Sequence, residues 1–179
     1  KRLERRGGLI MDIKELKRRQ KELIGFDPSN YDECMNAVIN NPSNLKYIKD
    51  PTPELYLTAV RTCGLDLLWV RNQTPEICMA AIKDEPYALQ YVKEQTPAMC
   101  LDAVRYGDCS VIFYVKDQTP EICIAAVKQD GRALKYIREQ TPEICLEAVK
   151  EYGHALKYVK DQTPEICIAA VKQDPFVLY

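Results

Sequence analysis

The apolar positions of this 179-residue chain repeat with a period of about 22 residues, and each period carries the same two-part pattern. Counting from a Thr or Asn, the residue three on is usually Ile, Leu or Met. The residue five on is aliphatic or Met in every copy: Met35, Leu57, Met79, Leu101, Ile124, Leu146 and Ile168. Seven on stands Ala without exception (Ala37, Ala59, Ala81, Ala103, Ala126, Ala148, Ala170), and eight on stands Val or Ile. The sixth position drifts through Asn, Thr, Ala, Asp and Glu. This spacing predicts a short helix with one wet stripe, buried elsewhere, and with Ala where another helix approaches most closely.

The second part of each period carries Leu or Ile (Leu45, Leu67, Leu89, Ile112, Leu134, Leu156, Leu178), an aromatic two on (Tyr47, Trp69, Tyr91, Tyr114, Tyr136, Tyr158), then Val or Ile. Read at 100° per residue, it is a second short helix with one polar slot between the Leu and the aromatic. That slot holds Lys46, Gln90, Lys135 and Lys157, but Leu68 and Phe113 in two copies.

Helix starts mark the period. Thr52-Pro53, Thr74-Pro75, Thr96-Pro97, Thr119-Pro120, Thr141-Pro142 and Thr163-Pro164 each place a capping hydroxyl before a proline, whose missing N–H is harmless in the first turn. A Glu follows the proline in all but the third of these and complements the helix dipole. A degenerate copy begins at Asn30, where Tyr31 replaces the proline. Pro42, Gly64, Pro86, Gly107, Gly131, Gly153 and Pro175 punctuate the two halves of each copy. The expected fold is therefore all-α: a solenoid of about seven helical hairpins over residues 30–179, starting at 30, 52, 74, 96, 119, 141 and 163, the last truncated. Single hairpins of this length are too short to be stable alone, and stacking gives them one continuous core.

Two segments precede the repeats. Residues 1–8, with Lys1, Arg2, Arg5 and Arg6, read as a basic tail or expression remnant. Residues 9–25 read as an amphipathic helix, with Leu9, Ile13, Leu16, Leu23 and Ile24 beside Lys14, Lys17, Arg18, Arg19 and Lys21, stopped by Gly25 and expected to cap the open end of the stack.

Composition narrows the function classes. A net charge of −1 and a pI near 6.0 give no global attraction for phosphate backbones or anionic lipid. No run is long and apolar enough for a membrane span, and no signal-peptide pattern is present, so a cytoplasmic or other intracellular location is expected. Six of the eight cysteines (Cys34, Cys78, Cys100, Cys123, Cys145, Cys167) share one repeat position, which Tyr56 fills in the second copy. A position that accepts Tyr is a packing site, and helices roughly 8 to 10 Å apart are too distant for a disulfide, which needs Cα atoms within about 7 Å. Cys63 and Cys109 lie off the column near turns and are the expected reactive thiols.

The Thr-Pro-Glu, Cys, Ala-Val and Leu-x-Tyr-Val signature resembles a family of uncharacterised tandem helical repeats of about 22 residues found in bacterial and giant-virus proteins. The resemblance covers Asn30 to Tyr179 and implies an all-helical repeat. It brings no catalytic residue. The first copy departs from it at Tyr31 and Asp32, and the fourth has one inserted residue near Gly107-Asp108-Cys109.

Basic residues recur at the end of the second helix (Lys49, Arg71, Lys93, Lys116, Arg138, Lys160) and of the first (Arg61, Lys83, Arg105, Lys128, Lys150, Lys172). Two such ladders could track a phosphate backbone, and a nucleic-acid-binding helical repeat is the alternative reading. Both sit where helix dipoles favour cations, and the first is followed by an acid or Asn throughout. His154, the single histidine, occupies a position that varies freely between copies, and no phosphate loop or serine elbow occurs. The expectation is a non-enzymatic protein-binding scaffold with an unidentified protein partner, no cofactor and no metal, and without nucleic acid or membrane as partner. Its candidate contact residues are Leu68, Trp69, Gln90, Tyr91, Phe113 and Tyr114, where the slot turns apolar beside the aromatic column.

Overall fold

The computed structural model describes residues 13–177; Lys1 to Asp12 of the basic tail and the start of the expected capping helix, together with Leu178 and Tyr179, lie outside the described residues. All regular elements among the described residues are helical. Helix α1 (Ile13–Ile24) precedes the repeats, whose first helices are α2 (Tyr31–Asn40), α3 (Pro53–Thr62), α4 (Pro75–Asp84), α5 (Pro97–Tyr106), α6 (Pro120–Gln129), α7 (Pro142–Glu151) and α8 (Pro164–Gln173). The second element of the first six hairpins is a 3-10 helix: Pro42–Tyr47, Gly64–Trp69, Pro86–Tyr91, Val111–Tyr114, Gly131–Tyr136 and Gly153–Tyr158.

Each α-helix starts as its sequence dictates. The Thr side chains of residues 52, 74, 96, 119, 141 and 163 accept the backbone N–H three residues on at 3.3 to 3.4 Å, and Asn30 does the same for Glu33 at 3.1 Å. Successive α-helices pack side by side in one row and the 3-10 helices in a second. In all but the fourth repeat the 3-10 helix wedges between its own α-helix and the next. A single buried cluster runs between the rows from Phe26 to Ala170.

The 3-10 geometry corrects the 100° reading of the second element. At 120° per residue, positions i and i+3 eclipse, so Leu45 and Ile48, Leu67 and Val70, and Leu134 and Ile137 share the buried face. The aromatic between them is left half out: Tyr47 is 43% and Trp69 40% exposed. The outward face thus contains both the slot and the aromatic.

The α-helices also differ from expectation. Ala59, Ala81, Ala103, Ala126, Ala148 and Ala170 are fully enclosed, while Met35, Leu57, Met79, Leu101, Ile124 and Leu146 are only half-buried along the outer face of the α row. Gly64 and Gly131 are needed for close approach, since a Cβ there would lie 2.3 Å from the Ala81 or Ala148 carbonyl oxygen of the next repeat. The reversal itself uses no left-handed residue, because among the described residues positive φ occurs only at Gly25.

One inter-repeat device was not read from the sequence. Gln95 Nε2 donates to the carbonyls of Leu89 (3.1 Å) and Tyr114 (2.9 Å), and its Oε1 accepts the Lys116 N–H (2.8 Å), tying the end of one 3-10 helix to the end of the next. Gln118 and Gln140 repeat the arrangement, and Gln73 makes its forward half to Tyr91 and Lys93. These amides satisfy helix-end groups that a six-residue 3-10 helix leaves open. Ser29 and Pro51 occupy the same position in the first two copies.

At the N-terminal end α1 forms, but Leu16 is 46% and Leu23 87% exposed. Phe26 is the buried residue that joins the core there, with Ile24 packed beside it and Lys21 paired to Glu33 at 2.8 Å.

Candidate partner-binding site

The outward face of the 3-10 row brings the slot residues into one line, one per repeat. In three copies the slot lysine lies over its neighbouring ring: Lys46 Nζ is 4.9 Å from the Tyr47 centroid, Lys135 5.3 Å from Tyr136 and Lys157 5.0 Å from Tyr158. Lys46 also reaches 5.8 Å from Trp69. A cation over an aromatic face gains electrostatic attraction and covers the ring. Between these copies the line changes character. Leu68 is 52% and Phe113 62% exposed, so neither fills a gap in the packing. Phe113 meets Tyr114 edge-on at 5.4 Å, and Tyr87 meets Tyr114 from the other side at 5.8 Å.

Gln90 stands between the two apolar slots. One of its amide hydrogens goes to the Tyr87 carbonyl at 3.1 Å, and its remaining hydrogen-bonding capacity is unused among the described residues. Below it the inserted residue of the fourth repeat has a structural consequence. Asp108 accepts the Ser110 N–H at 2.7 Å and the Tyr87 hydroxyl at 2.6 Å, anchoring the shifted, shortened 3-10 helix to the previous repeat. The Tyr87 hydrogen bond, with those from Ser110, holds the Asp108 carboxyl below the usual carboxylate range.

Repeat 2 contains the buried acid Asp66 at a position that is Ala88, Ala133 and Ala155 elsewhere. Ser43 donates to its Oδ1 at 2.9 Å, and its Oδ2 has no partner among the described residues. Its Asn44 counterpart in repeat 1 instead donates to the Ala37 carbonyl. No sequence signal separates the two.

The basic ladder at the 3-10 ends is occupied by the fold. Arg71 donates to the Lys49 carbonyl (2.9 Å), Lys93 to that of Arg71 (2.7 Å), Lys116 to that of Lys93 (2.7 Å), Arg138 to that of Lys116 (3.0 Å) and Lys160 to that of Arg138 (2.9 Å). Each cation ties to the backbone two residues past the 3-10 helix of the repeat before it, near the helix end where the dipole favours positive charge. In the second ladder Lys128 and Lys150 both pair with Glu147.

The cysteines hold no activated thiol among those whose acidity is shifted. Burial pushes Cys34, Cys78, Cys123 and Cys145 up from the ordinary thiol value and Cys100 up to about 11. Cys63 and Cys109, expected to be the reactive pair, are half-buried and are shifted the same way, chiefly by burial. Low-pKa reactivity needs an electropositive setting, and Cys63 instead faces the Asp66 carboxylate. All eight cysteines are free. His154 Nε2 lies 3.0 Å from the carboxylate of Asp174, which ends α8 in the last repeat. Among the described residues no three of His, Cys, Asp and Glu gather as a metal site, and no helix is long and apolar enough to cross a membrane.

Residues 141–179 match the model of a domain of unknown function, DUF4116. The matched stretch is the sixth copy together with residues 163–179 of the seventh, and it holds the Thr141-Pro142 cap, Cys145, Ala148 and the Leu156-Lys157-Tyr158 segment. It lies outside the span from Leu68 to Tyr114. No curated protein and no solved structure matches the chain.

Proposed function

We propose that the chain is a non-enzymatic protein-binding scaffold that holds its partner on the outward face of the 3-10 row, at Leu68, Trp69, Gln90, Tyr91, Phe113 and Tyr114. The observation that carries this reading is the exposure of Leu68 and Phe113 at a position where other copies hold Lys or Gln. An isolated exposed Leu is ordinary on a protein surface; two apolar replacements in one line, beside Trp69 and the tyrosines, make a pair of anchors of the kind that interfaces favour. The nucleic-acid alternative draws less support, because five of the six cations at the 3-10 ends already hold a backbone carbonyl of the repeat before them.

A photo-crosslinking amino acid at position 113, expressed in the native cell and followed by mass spectrometry, tests the reading. The expected result is one dominant crosslinked protein, absent when Leu68→Asp is added and absent when the crosslinker is moved to Ile39 on the α row. Equal yields from positions 113 and 39 would place the contact elsewhere. Binding to labelled RNA with a steep loss of affinity as salt rises would favour the alternative.

A further inference from the structure

Within the 3-10 helices themselves the charge is one-sided, with the acids Asp50, Glu94, Asp117, Glu139 and Asp161 lying beyond their ends next to the ladder cations, and that asymmetry bears on the partner. The six helices contain a single acid, Asp66, which is buried. Their cations are Lys46 on one side of the apolar slots and Arg132, Lys135 and Lys157 on the other. Arg132 is neutralised by Asp130 at 2.6 Å, whereas the three lysines have no acid partner among the described residues. The line therefore reads cation, apolar, amide, apolar, cation, cation.

Leu68 and Phe113 are two repeats apart, which at the usual spacing of packed helices is about 16 to 20 Å. An extended chain advances about 3.3 Å per residue, so side chains about six residues apart span that distance and fall on the same side of the strand. Gln90, midway, presents an amide whose free N–H and oxygen suit the backbone of such a chain.

We infer that the ligand of this row is an extended acidic peptide segment of a protein partner, with two large apolar side chains about six residues apart seated at Leu68 and Phe113, its carboxylates flanking them at Lys46 and at Lys135 and Lys157. This rests on the scaffold reading and adds the chemistry of the partner. Charge complementarity sets the direction of the argument: lysines at both ends repel a basic segment and steer an acidic one.

A phage-displayed library of random sixteen-residue peptides, long enough at about 3.3 Å per residue to run from Lys46 to Lys157, panned on the immobilised full chain and depleted on the Leu68→Asp, Phe113→Asp variant, tests the inference. Enriched peptides should share two large apolar residues about six apart, with Asp or Glu outside them. Enrichment of basic flanks, of uncharged flanks or of nothing overturns it. A labelled copy of the most enriched peptide should bind Lys135→Glu, Lys157→Glu at least about tenfold more weakly at low salt; unchanged affinity overturns it as well. Both lysines are exposed, so circular dichroism of that variant should match the parent. If the peptide fails while the crosslink at position 113 persists, the scaffold reading stands and the acidic partner is lost. Loss of that crosslink removes both.

Discussion

The copies between Thr119 and Tyr158 agree with one another at most positions, whereas those between Thr52 and Tyr114 differ from one another at most. The later copies open their 3-10 helices with Gly131 and Gly153, continue with Ala133 and Ala155, and place Lys135 and Lys157 over tyrosine rings. The earlier ones bury Asp66, insert a residue at the fourth turn and leave Leu68 and Phe113 in water. Yet the residues between the rows obey one rule in both regions, with the Ala, Leu and Val columns closed throughout. A repeat's stability is set by its own packing and that of its neighbours. The outward face of the 3-10 row is thus free to vary, and the variation is concentrated in the earlier copies.

The largest expected effect tests the shared rule. Ala126→Leu and Ala81→Leu should each destabilise by about 1 to 3 kcal/mol, because both side chains are enclosed at the approach of a neighbouring helix. Urea midpoints decide it, and a near-neutral Ala81→Leu would mean that the earlier copies are packed by a different rule.

The glutamines come next. Gln118→Ala removes the bonds to the Tyr136 carbonyl and the Arg138 N–H at a cost of about 1 kcal/mol, since both groups lie within reach of water. Hydrogen exchange sharpens the contrast: the amides of Lys93, Lys116, Arg138 and Lys160 should be protected, and that of Arg71, whose repeat follows Pro51, should exchange faster. Equal rates would show that the amide bridge adds nothing to local stability.

Asp66 is a defect peculiar to the earlier copies. Converting it to the Ala of other repeats, together with Ser43→Ala to remove the donor, should stabilise the chain by about 1 kcal/mol. A lower melting temperature for that pair would show that the acid supports its repeat. Thr119→Ala and Thr74→Ala should each cost about 1 kcal/mol and match one another, since both cap their helices in the same way. The smallest effect is the one that matters for binding. Leu68→Asp with Phe113→Asp should change stability by no more than about 0.5 kcal/mol per site while abolishing partner capture. An unfolded double variant would make these residues core.

How much of this was legible depends on which interactions are local. The Thr-Pro starts lie where the helices begin, because a cap and a first turn involve residues three apart in sequence. The alanine column announced the tight contact, since only a small side chain recurs where backbones approach. Among the site residues, Leu68 and Phe113 could be noticed because internal copies supply a comparison. The function of Gln73, Gln95, Gln118 and Gln140 could not, because their partners lie 18 to 21 residues ahead and a recurring Gln looks like any solvated side chain.

By itself the sequence determined the all-α repeat, its period, the position of every α-helix start among the repeats and the packing role of the cysteine column. Those features arise from backbone sterics, capping and apolar spacing, which act within a few residues. Only the tertiary structure decided that the second element is a 3-10 helix and that the aromatic column therefore stands half exposed. It also decided that the terminal cations tie to the preceding repeat, that Phe26 rather than Leu23 enters the core, and that Asp66 is buried with an oxygen unpaired among the described residues. Each depends on where the next repeat places its backbone, a distance of one full period along the chain.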